Sequence, residues 1–274
     1  MSRFRQNAPL VGDALSAPVV GVAQDPSPGF VIAAHRHPFA QLIHAAAGVM
    51  TVETEDGIWV VPPERAVWVP EYVIHRIRMT GSVALRTLYL DPSIAPIAGR
   101  RCCVVQVSVL LRAAIQRAMD FAPDYSDRGP ESHLVAVIVD EIRAAPTAPL
   151  HLPMPTDPRA RRLAEACRDD PGDRRRLREW APLVGASERT LERLFRAEVG
   201  LTFGAWRQQA RLLRALERLA AGESVTEVAL QVGFETPSAF IAMFRRATGT
   251  TPARYFRAAS DPARANEFGG FSQG

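Results

Sequence analysis

The chain has 274 residues, 47% of them apolar and 23% charged, which is the composition of a globular protein large enough for two domains. No apolar run approaches the ~18 residues that a membrane span needs, and the N-terminus lacks the apolar run of a signal peptide. Three cysteines are too few for a disulfide framework, so we expect a cytoplasmic protein without a membrane partner.

Positive charge is concentrated in the C-terminal part of the chain. All 33 basic residues are arginine, and 19 of them lie in residues 158–257 beside 12 acidic residues, a net charge of +7 (19 − 12). The remaining residues have 14 arginines (33 − 19) and 17 acidic residues (29 − 12), a net charge of −3. Such an excess on one part of a chain is what binding to a phosphate backbone requires.

Residues from about 19 to 90 are predicted to form β-strands. Short segments rich in Val, Ile and aromatic residues are separated by Pro and Gly, and Asp56-Gly57 between two of them predicts a hairpin turn. Many short strands without intervening helices favour an antiparallel barrel or jelly roll.

Two histidines of this region are placed to bind one ion. His35 and His37 are two residues apart, so on a strand their side chains point to the same face. His44 has the opposite strand parity from Gln41 and is predicted not to be a ligand. The surrounding patterns are Gly29-x5-His35-x-His37-x3-Gln41-x6-Gly48 and Pro70-x4-His75.

These two patterns resemble the two motifs of the cupin barrel. The resemblance implies that Gln41 and His75 complete a metal site with His35 and His37, although Gln41 replaces the Glu of the cupin motif and Tyr72 replaces its Gly. Three imidazoles and a neutral oxygen suit Zn(II), Fe(II), Ni(II) or Co(II) better than Mg(II) or Ca(II). A metal-free pocket for an organic effector is the alternative.

Residues from about 107 to 144 change to a helical period. Two apolar stripes predict two amphipathic helices, which would bury these stripes on the barrel or on a second subunit. The stripes are Leu110, Leu111, Ala114, Ile115 and Ala118, and Leu134, Val135, Ile138, Val139 and Ile142. Five prolines between residues 145 and 158 predict a semi-rigid linker after them.

One short helical pattern occurs twice between residues 177 and 256. The first copy is Ala181-x3-Gly185 followed by Leu191-x3-Phe195-x4-Gly200-x-Thr202, and the second is Ala229-x3-Gly233 followed by Phe240-x3-Phe244-x4-Gly249-x-Thr251. The two halves repeat at offsets of 48 (233 − 185) and 49 (240 − 191). A small residue, a Gly in a tight turn and a second helix with an apolar i, i+4 face predict a helix-turn-helix in each copy.

The first copy predicts a recognition helix from Glu188 to about Val199, capped by Ser187. Arginine can bind guanine with two hydrogen bonds and glutamate can accept from cytosine, so its outward face can read base edges. That face is formed by Arg189, Glu192, Arg193 and Arg196.

The second copy predicts a recognition helix that is capped by Thr236 and begins at Pro237. Its predicted outward face offers apolar contacts to thymine methyl groups and one phosphate contact, with little direct base reading. The residues are Ser238, Ala239, Ala242, Met243 and Arg246.

A single helix, residues 203–221, is predicted between the two copies. Nineteen residues span about 28 Å, close to the ~34 Å between successive major-groove faces, so both recognition helices could reach adjacent grooves. Four arginines on its polar side would contact phosphates or only face solvent. They are Arg207, Arg211, Arg214 and Arg218.

Residues 177–256 resemble the DNA-binding domain of the AraC/XylS family of bacterial transcription regulators. The matching patterns are Arg189-Thr190-Leu191-x3-Phe195-x4-Gly200, Arg211-Leu212-x2-Ala215, Val225-Thr226-Glu227-Val228-Ala229-x3-Gly233-Phe234 and Phe240-x3-Phe244-x4-Gly249-x2-Pro252-x2-Tyr255. The resemblance implies two helix-turn-helix units that bind asymmetric promoter sites. The apolar second recognition face departs from family members with polar readers there.

The sequence therefore predicts an α+β multidomain regulator. Residues 1–92 form a cupin-like antiparallel β-barrel that senses a small molecule or metal, and 93–157 a helical linker and dimerisation segment. Residues 158–258 form an all-α double helix-turn-helix domain, and 259–274 a disordered tail. Promoter DNA, an effector and a second copy of the chain are the expected partners, with RNA polymerase a further candidate.

A metal-dependent cupin enzyme of the dioxygenase type, fused to a DNA-binding domain, is the alternative function. Redox catalysis needs a bound metal with open coordination positions. The neutral Gln41 and the absence of a second carboxylate in the motif argue against it. We therefore predict a regulator without catalytic residues.

Overall fold

The computed structural model describes residues 14–97, 99, 101–122, 124–126, 128–148 and 150–260. This part of the chain divides into two compact units. One holds residues 14–54, 59–151 and 258–260, and the other holds 55–58 and 152–257. Most of the predicted tail, from residue 261 onward, lies outside the described residues. No helix in the described ranges is long and apolar enough to cross a bilayer.

A nine-stranded sheet dominates the N-terminal half, as the β-rich sequence predicted. Antiparallel pairing joins β1–β6, β2–β6, β3–β5, β3–β6, β5–β7 and β7–β8, and β4 pairs with β3 and β9. The strands are β1 (Val19–Gln24), β2 (Val31–His35), β3 (Ala40–Glu53), β4 (Gly57–Val61), β5 (Arg65–Val69), β6 (His75–Leu90), β7 (Cys103–Gln106), β8 (Thr147–Ala148) and β9 (His151–Pro153).

The two long strands β3 and β6 connect the sides of this sheet. The first part of β6 pairs with β2 and its second part with β1, while β3 pairs along nearly all of β6. Two register breaks in β3, around Ala47, interrupt the ladder and allow it to bend. Gly48 follows with φ 78°, and a Cβ there would lie 2.2 Å from the Ser82 carbonyl oxygen, so only glycine fits this bend.

Two helices cover one face of the sheet, α1 (Val109–Ala118) and α2 (Pro130–Ala144). Leu111 and Ile115 of α1 and Ile138 of α2 are fully buried in one cluster with Leu42 and Trp68 of the sheet. The predicted stripes therefore bury on the sheet of the same chain. Burial of each such side chain contributes about 1.5–3 kcal/mol of hydrophobic free energy.

Leu110 is a correction to the predicted stripe. Its side chain is 53% exposed, because the buried line of α1 passes through Leu111 and Ile115 instead. Val109 on α1 and Val137 on α2 are also exposed. We call Val109, Leu110 and Val137 the exposed apolar group.

The sequence-based boundaries at residues 92 and 157 do not separate compact units. Residues 93–151 belong to the sheet unit, because α1 packs on β1 and β6 and the helices share the core of the sheet. The Pro-rich segment is also not a free linker. Strand β8 lies within it and pairs with β7, and the Val60 N–H donates to the Leu150 carbonyl at 3.2 Å.

The second unit is helical. Its helices are α3 (Pro158–Asp169), α4 (Leu177–Leu183), α5 (Glu188–Leu194), α6 (Phe203–Ala220), α7 (Val225–Gln231), α8 (Pro237–Thr248) and α9 (Pro252–Ser260). A π-helical turn, Phe195–Val199, continues α5, so the predicted first recognition helix has an irregular last turn.

The two helix-turn-helix turns share one hydrogen-bond pattern. The Ala186 N–H donates to Ala181 O at 3.0 Å in the first, and the Phe234 N–H donates to Ala229 O at 2.9 Å in the second. The glycine before each donor has φ of 71° and 82°, respectively. This is the Schellman arrangement, in which a left-handed glycine ends a helix. The sequence repeat is therefore also a structural repeat.

Aromatic side chains form the core of each helix-turn-helix. Phe195 meets Trp206 of α6 edge to face at 5.5 Å between ring centroids, and the Trp206 indole N–H donates to Pro153 O at 2.7 Å. In the second copy, Phe240 and Phe244 contact each other at 5.8 Å. All four rings are fully buried, so the two recognition helices rest on rigid supports.

Candidate functional site

The strands bring three of the predicted metal ligands together. His35 ends β2 and His75 begins β6, and the two residues are paired in the antiparallel register. His37 follows in the loop before β3. The ring centroids lie 4.3 Å apart for His35 and His75, 5.2 Å for His37 and His75, and 5.8 Å for His35 and His37. We call these three residues the histidine cluster.

The histidine cluster is a metal-ligand constellation by distance. One ring nitrogen of each residue lies within 4.8 Å of those of the other two. Among the residues that the structure describes, no other group of three or more His, Cys, Asp or Glu side chains meets this criterion.

Backbone carbonyls fix the tautomer of all three imidazoles. Each Nδ1 lies within hydrogen-bond distance of a carbonyl oxygen, which can only accept, so the hydrogen is on Nδ1 and the lone pair on Nε2. Such a bond on the second ring nitrogen is typical of metal-bound histidine. The contacts are His35–Ala33 at 2.8 Å, His37–Phe39 at 2.9 Å and His75–Val73 at 2.9 Å.

Burial keeps two of these imidazoles neutral. His75 is fully buried, and desolvation, with a smaller contribution from the neighbouring His35, lowers its pKa to about 3. Desolvation also lowers the pKa of His37, against the opposing effect of its contacts with Gln41 and Phe39. Both residues therefore offer a lone pair at neutral pH. The Nε2 atom of His75 is buried, and no residue that the structure describes forms a hydrogen bond with it.

Gln41 presents a fourth acceptor to the histidine cluster. Its amide nitrogen donates to Thr87 Oγ1 at 2.9 Å, and the Thr87 hydroxyl donates to Leu42 O at 3.1 Å. This relay directs Gln41 Oε1 toward His37 Nε2, at 3.1 Å. Both facing atoms carry lone pairs, since the His37 hydrogen is on Nδ1. A cation between them satisfies both atoms, so the residues present fit a metal ion.

The loop before β6 is part of the same arrangement. The Tyr72 N–H donates to His37 O at 2.8 Å, and Val73 O holds His75. Tyr72 has φ 60°, the left-handed conformation that glycine adopts most easily. Tyr72 replaces the Gly of the cupin pattern but adopts a backbone conformation that is typical of glycine.

The other histidines lie outside the histidine cluster. His44 Nδ1 is 3.1 Å from Arg65 O, and burial lowers the pKa of His44 to about 4. His133 is exposed on α2, and His151 stacks on Trp59 at 4.5 Å between centroids.

One buried residue was not identified from the sequence. Tyr89 pairs with Gln41 in the β3–β6 register, so both side chains lie on the same face of the sheet. Its ring centroid lies 5.1 Å from that of His37, and its buried hydroxyl has no hydrogen-bond partner in the described ranges. Burial raises the pKa of Tyr89, so the phenol keeps its hydrogen. Only the strand register, which the sequence does not give, could have identified it.

The first recognition helix presents its predicted polar face. The Ser187 hydroxyl caps α5 by accepting from the Thr190 N–H at 3.1 Å. The four predicted contact residues are exposed, and we find no ion pair or hydrogen bond for their side chains within the described part of the chain. They are Arg189, Glu192, Arg193 and Arg196.

The second recognition helix differs from the prediction at one position. Met243 is only 4% exposed and packs in the core beside Phe240 and Phe244, so it does not belong to the outward face. The helical period explains the correction, because at ~100° per residue Met243 lies about 60° from Phe240 around the helix axis, on the buried side. Arg245, which the prediction omitted, is exposed in its place. The other predicted positions are exposed, namely Ser238, Ala239, Ala242 and Arg246.

The four arginines of α6 have partners within the chain. Their side chains hold loops and helix ends of the helical unit in place. The contacts are Arg207 to Arg175 O at 2.6 Å, Arg211 to Pro171 O at 3.0 Å, Arg214 to Glu217 at 2.9 Å and Arg218 to Glu223 at 3.0 Å.

Both halves of the chain match known protein families. Residues 18–120 match the family described as AraC-like ligand binding domain, and residues 180–258 match a helix-turn-helix domain family. The HTH-type transcriptional regulator NimR of Escherichia coli (strain K12) is 36% identical over 221 residues, which cover 81% of each chain.

Two further similarities cover different parts of the chain. The HTH-type transcriptional regulator RipA of Corynebacterium glutamicum is 38% identical over 103 residues, 38% of this chain and 31% of that protein. A crystal structure of ToxT from Vibrio cholerae aligns with 89% of this chain and 98% of its own, at 12% identity and a TM-score of 0.39.

Proposed function

Since the chain belongs to the AraC-type transcriptional regulators, with a ligand-binding domain before a helix-turn-helix DNA-binding domain, we propose that a divalent transition metal controls its binding to promoter DNA. The histidine cluster and Gln41 hold the ion. Zn(II), Fe(II), Ni(II) and Co(II) are the candidates, because the donors are three imidazole nitrogens and one amide oxygen.

The observation that carries this proposal is the meeting of four acceptor atoms, three imidazole nitrogens and the Gln41 amide oxygen. The Nδ1 hydrogens of the histidine cluster point to backbone carbonyls, so the Nε2 lone pairs are left for a ligand, and one ring nitrogen of each residue lies within 4.8 Å of those of the other two. Gln41 Oε1 faces the same place. Buried lone pairs without a donor are costly, and a cation removes that cost.

The ligands come from separate segments of the sheet, and this connects binding to structure. His35 is on β2, His75 on β6 and Gln41 on β3. A bound ion supplies positive charge that ties these strands together. We infer that the ion stabilises one arrangement of these strands over another, and that the two arrangements differ in their affinity for DNA. A metal-free pocket for an organic effector is the competing outcome.

On the DNA side, the first recognition helix is proposed to read base edges through Arg189, Glu192, Arg193 and Arg196. The second offers small side chains, Ala239 and Ala242, followed by two exposed arginines, Arg245 and Arg246. It therefore contributes mainly phosphate contacts. The exposure of these residues supports their assignment.

The partners follow from this role. We propose a homodimer through the exposed apolar group, whose members Val109 and Leu110 are 55% and 53% exposed on α1. Light scattering after size exclusion tests it, with Leu110→Glu expected to give a monomer. RNA polymerase remains a candidate partner, to be tested by transcription in vitro. A promoter-binding regulator acts in the cytoplasm.

The experiment for the proposed function is a DNA-binding titration with and without metal. An operator is first selected from random DNA, and its affinity for the full chain is then measured by fluorescence anisotropy at fixed salt. We expect at least a fivefold difference in Kd between Zn(II)-loaded and chelator-treated wild-type protein.

Two variants make the titration specific. The double variant His35→Ala, His75→Ala is expected to lose the difference, while His133→Ala, an exposed histidine elsewhere, is expected to keep it. Equal affinity of the loaded and stripped wild-type protein would overturn metal control. That outcome would leave the assignment of the protein as a DNA-binding regulator in place. The matched families and the relatives named above provide no support for the enzyme alternative.

A further inference from the structure

Tyr89 is a buried donor that the metal proposal does not use. Its side chain is fully buried, and within the described residues its hydroxyl has no hydrogen-bond partner. It shares a sheet face with Gln41, its register partner, and its ring meets His37 edge-on. An unpaired buried hydroxyl costs free energy unless a ligand accepts its hydrogen. The hydroxyl therefore points to a ligand that is an acceptor.

The charge of the metal site also calls for an acceptor. The histidine cluster and Gln41 are neutral donors, and the cluster found among the described residues contains no carboxylate. A divalent ion held by neutral ligands keeps its full charge of +2 in a poorly solvated interior. Uncompensated buried charge is strongly unfavourable, so an anion is drawn to the site.

The surroundings select the type of anion. Val69, the register partner of Gln41 on β5, and Phe39, stacked on His37, are buried apolar neighbours. A phosphate or sulfate needs several donors. Of the orphaned donors among the described residues, the Tyr89 hydroxyl is the one whose ring contacts a member of the histidine cluster, at 5.1 Å between its centroid and that of His37. A carboxylate needs only one such donor, because its second oxygen can bind the ion. An apolar substituent on it suits the apolar neighbours.

We propose that the effector of this regulator is a small carboxylate that binds the metal through one oxygen and accepts the Tyr89 hydrogen through the other. This inference rests on the proposed metal site and adds the class of effector. The effector carboxylate takes the place of an acidic protein ligand, which the neutral Gln41 does not provide. No bond is made or broken in the effector.

Visible spectroscopy of the Co(II)-loaded full chain tests this proposal. The d–d absorption of Co(II) reports on its ligands, and acetate is the probe. We expect acetate to change the spectrum of the wild-type protein with saturation. Tyr89→Phe removes one oxygen atom from the protein, and we expect it to weaken acetate binding roughly tenfold or more. Tyr125→Phe, which removes a hydroxyl from the helix-covered face, is the matched control and should bind acetate like the wild type.

A second variant keeps the proposal falsifiable if Tyr89→Phe folds poorly. Gln41→Glu supplies a carboxylate from the protein, so it is expected to bind Co(II) more tightly and to lose the acetate response. If Co(II) binds but acetate has no saturable effect, or acts equally on wild type and Tyr89→Phe, the carboxylate inference is wrong and the metal site stands. If Co(II) does not bind at all, the metal proposal itself fails.

Discussion

Tyr72 adopts a backbone conformation that its side chain disfavours. With φ 60°, it occupies the left-handed region, in which a Cβ atom costs of order 1–2 kcal/mol. Its N–H donates to His37 O at 2.8 Å, and this hydrogen bond holds the loop against the segment that carries His37. The strain is therefore maintained by the loop that supports the metal ligands.

Two substitutions of Tyr72 test this strain. We expect Tyr72→Gly to be more stable than Tyr72→Ala by about 1 kcal/mol, because glycine has no Cβ. Glycine is ordinarily the less stable of the two, by ~0.5–1 kcal/mol in regular structure. Urea denaturation of both variants measures the difference. A more stable alanine variant would show that the backbone is unstrained.

His44 makes stability depend on pH. Burial, reinforced by the charges of Arg112 and Arg86, lowers its pKa to about 4, whereas in the unfolded chain it is ~6.5. Between these values the unfolded chain binds more protons, so the free energy of unfolding falls as the pH decreases from ~6.5 to ~4. The full loss is roughly 3 kcal/mol. We expect His44→Gln to have a shallower pH dependence over this range, measured by urea denaturation of metal-free protein. Parallel curves for the variant and the wild type would contradict the assignment.

At this scale, the sequence predicted which histidines meet but not their chemical state. The spacing of His35 and His37 and the cupin pattern led to the histidine cluster. The tautomers depend on the carbonyls of Ala33, Phe39 and Val73, whose directions follow from turn geometry. Tyr89 depends on strand register across nearly 50 residues, which no local pattern encodes.

At the scale of single elements, the helical period divides the side chains of α8 into a buried side and an outward side. Met243 lies on the buried side with Phe240 and Phe244, and Ala242 lies on the outward side. The sequence contained this information, since the period of ~100° per residue places Met243 about 60° from Phe240 and Ala242 about 160° from it. The prediction that Met243 lies on the outward face was therefore wrong.

Substitutions at these neighbouring positions should have different effects. Met243→Ala is expected to destabilise the protein by about 2–5 kcal/mol, because it leaves a cavity in the core. Ala242→Ser should change stability by less than about 0.5 kcal/mol, as expected for an exposed position. Thermal denaturation compares them. If Met243→Ala has little effect on stability but changes the DNA sequence that the protein prefers, Met243 belongs to the recognition face after all.

The two recognition helices are expected to differ in what they read. Arg193→Ala on α5 should cost about 1–3 kcal/mol on the preferred operator and relax the preference at one base pair. Arg246→Ala on α8 should weaken binding to all DNA sequences alike. It should also reduce the magnitude of the slope of log K against log salt concentration by about 1. Anisotropy titrations at several salt concentrations measure both, with Arg143→Ala on α2 as the control. Uniform weakening by Arg193→Ala would mean that it contacts only phosphate.

In the whole molecule, the sequence predicted both types of unit and misplaced the divisions between them. The repeat and the β-rich segment were strong local signals. The helices α1 and α2 were assigned to a separate linker because their apolar stripes do not reveal what they cover. In the structure they pack on the sheet, as Ile115 and Ile138 show. Proline content alone also did not indicate that Thr147–Ala148 would join the sheet.

The central claim is that the N-terminal domain of this DNA-binding regulator holds one metal ion. The most direct measurement is elemental analysis of untagged, purified protein after incubation with Zn(II), Fe(II), Ni(II) and Co(II) in turn. We expect about one ion per chain in the wild type and in His133→Ala, and essentially none in the double variant His35→Ala, His75→Ala. A wild-type chain that retains none of the four metals would contradict the account and leave these residues as the lining of a pocket for an organic effector.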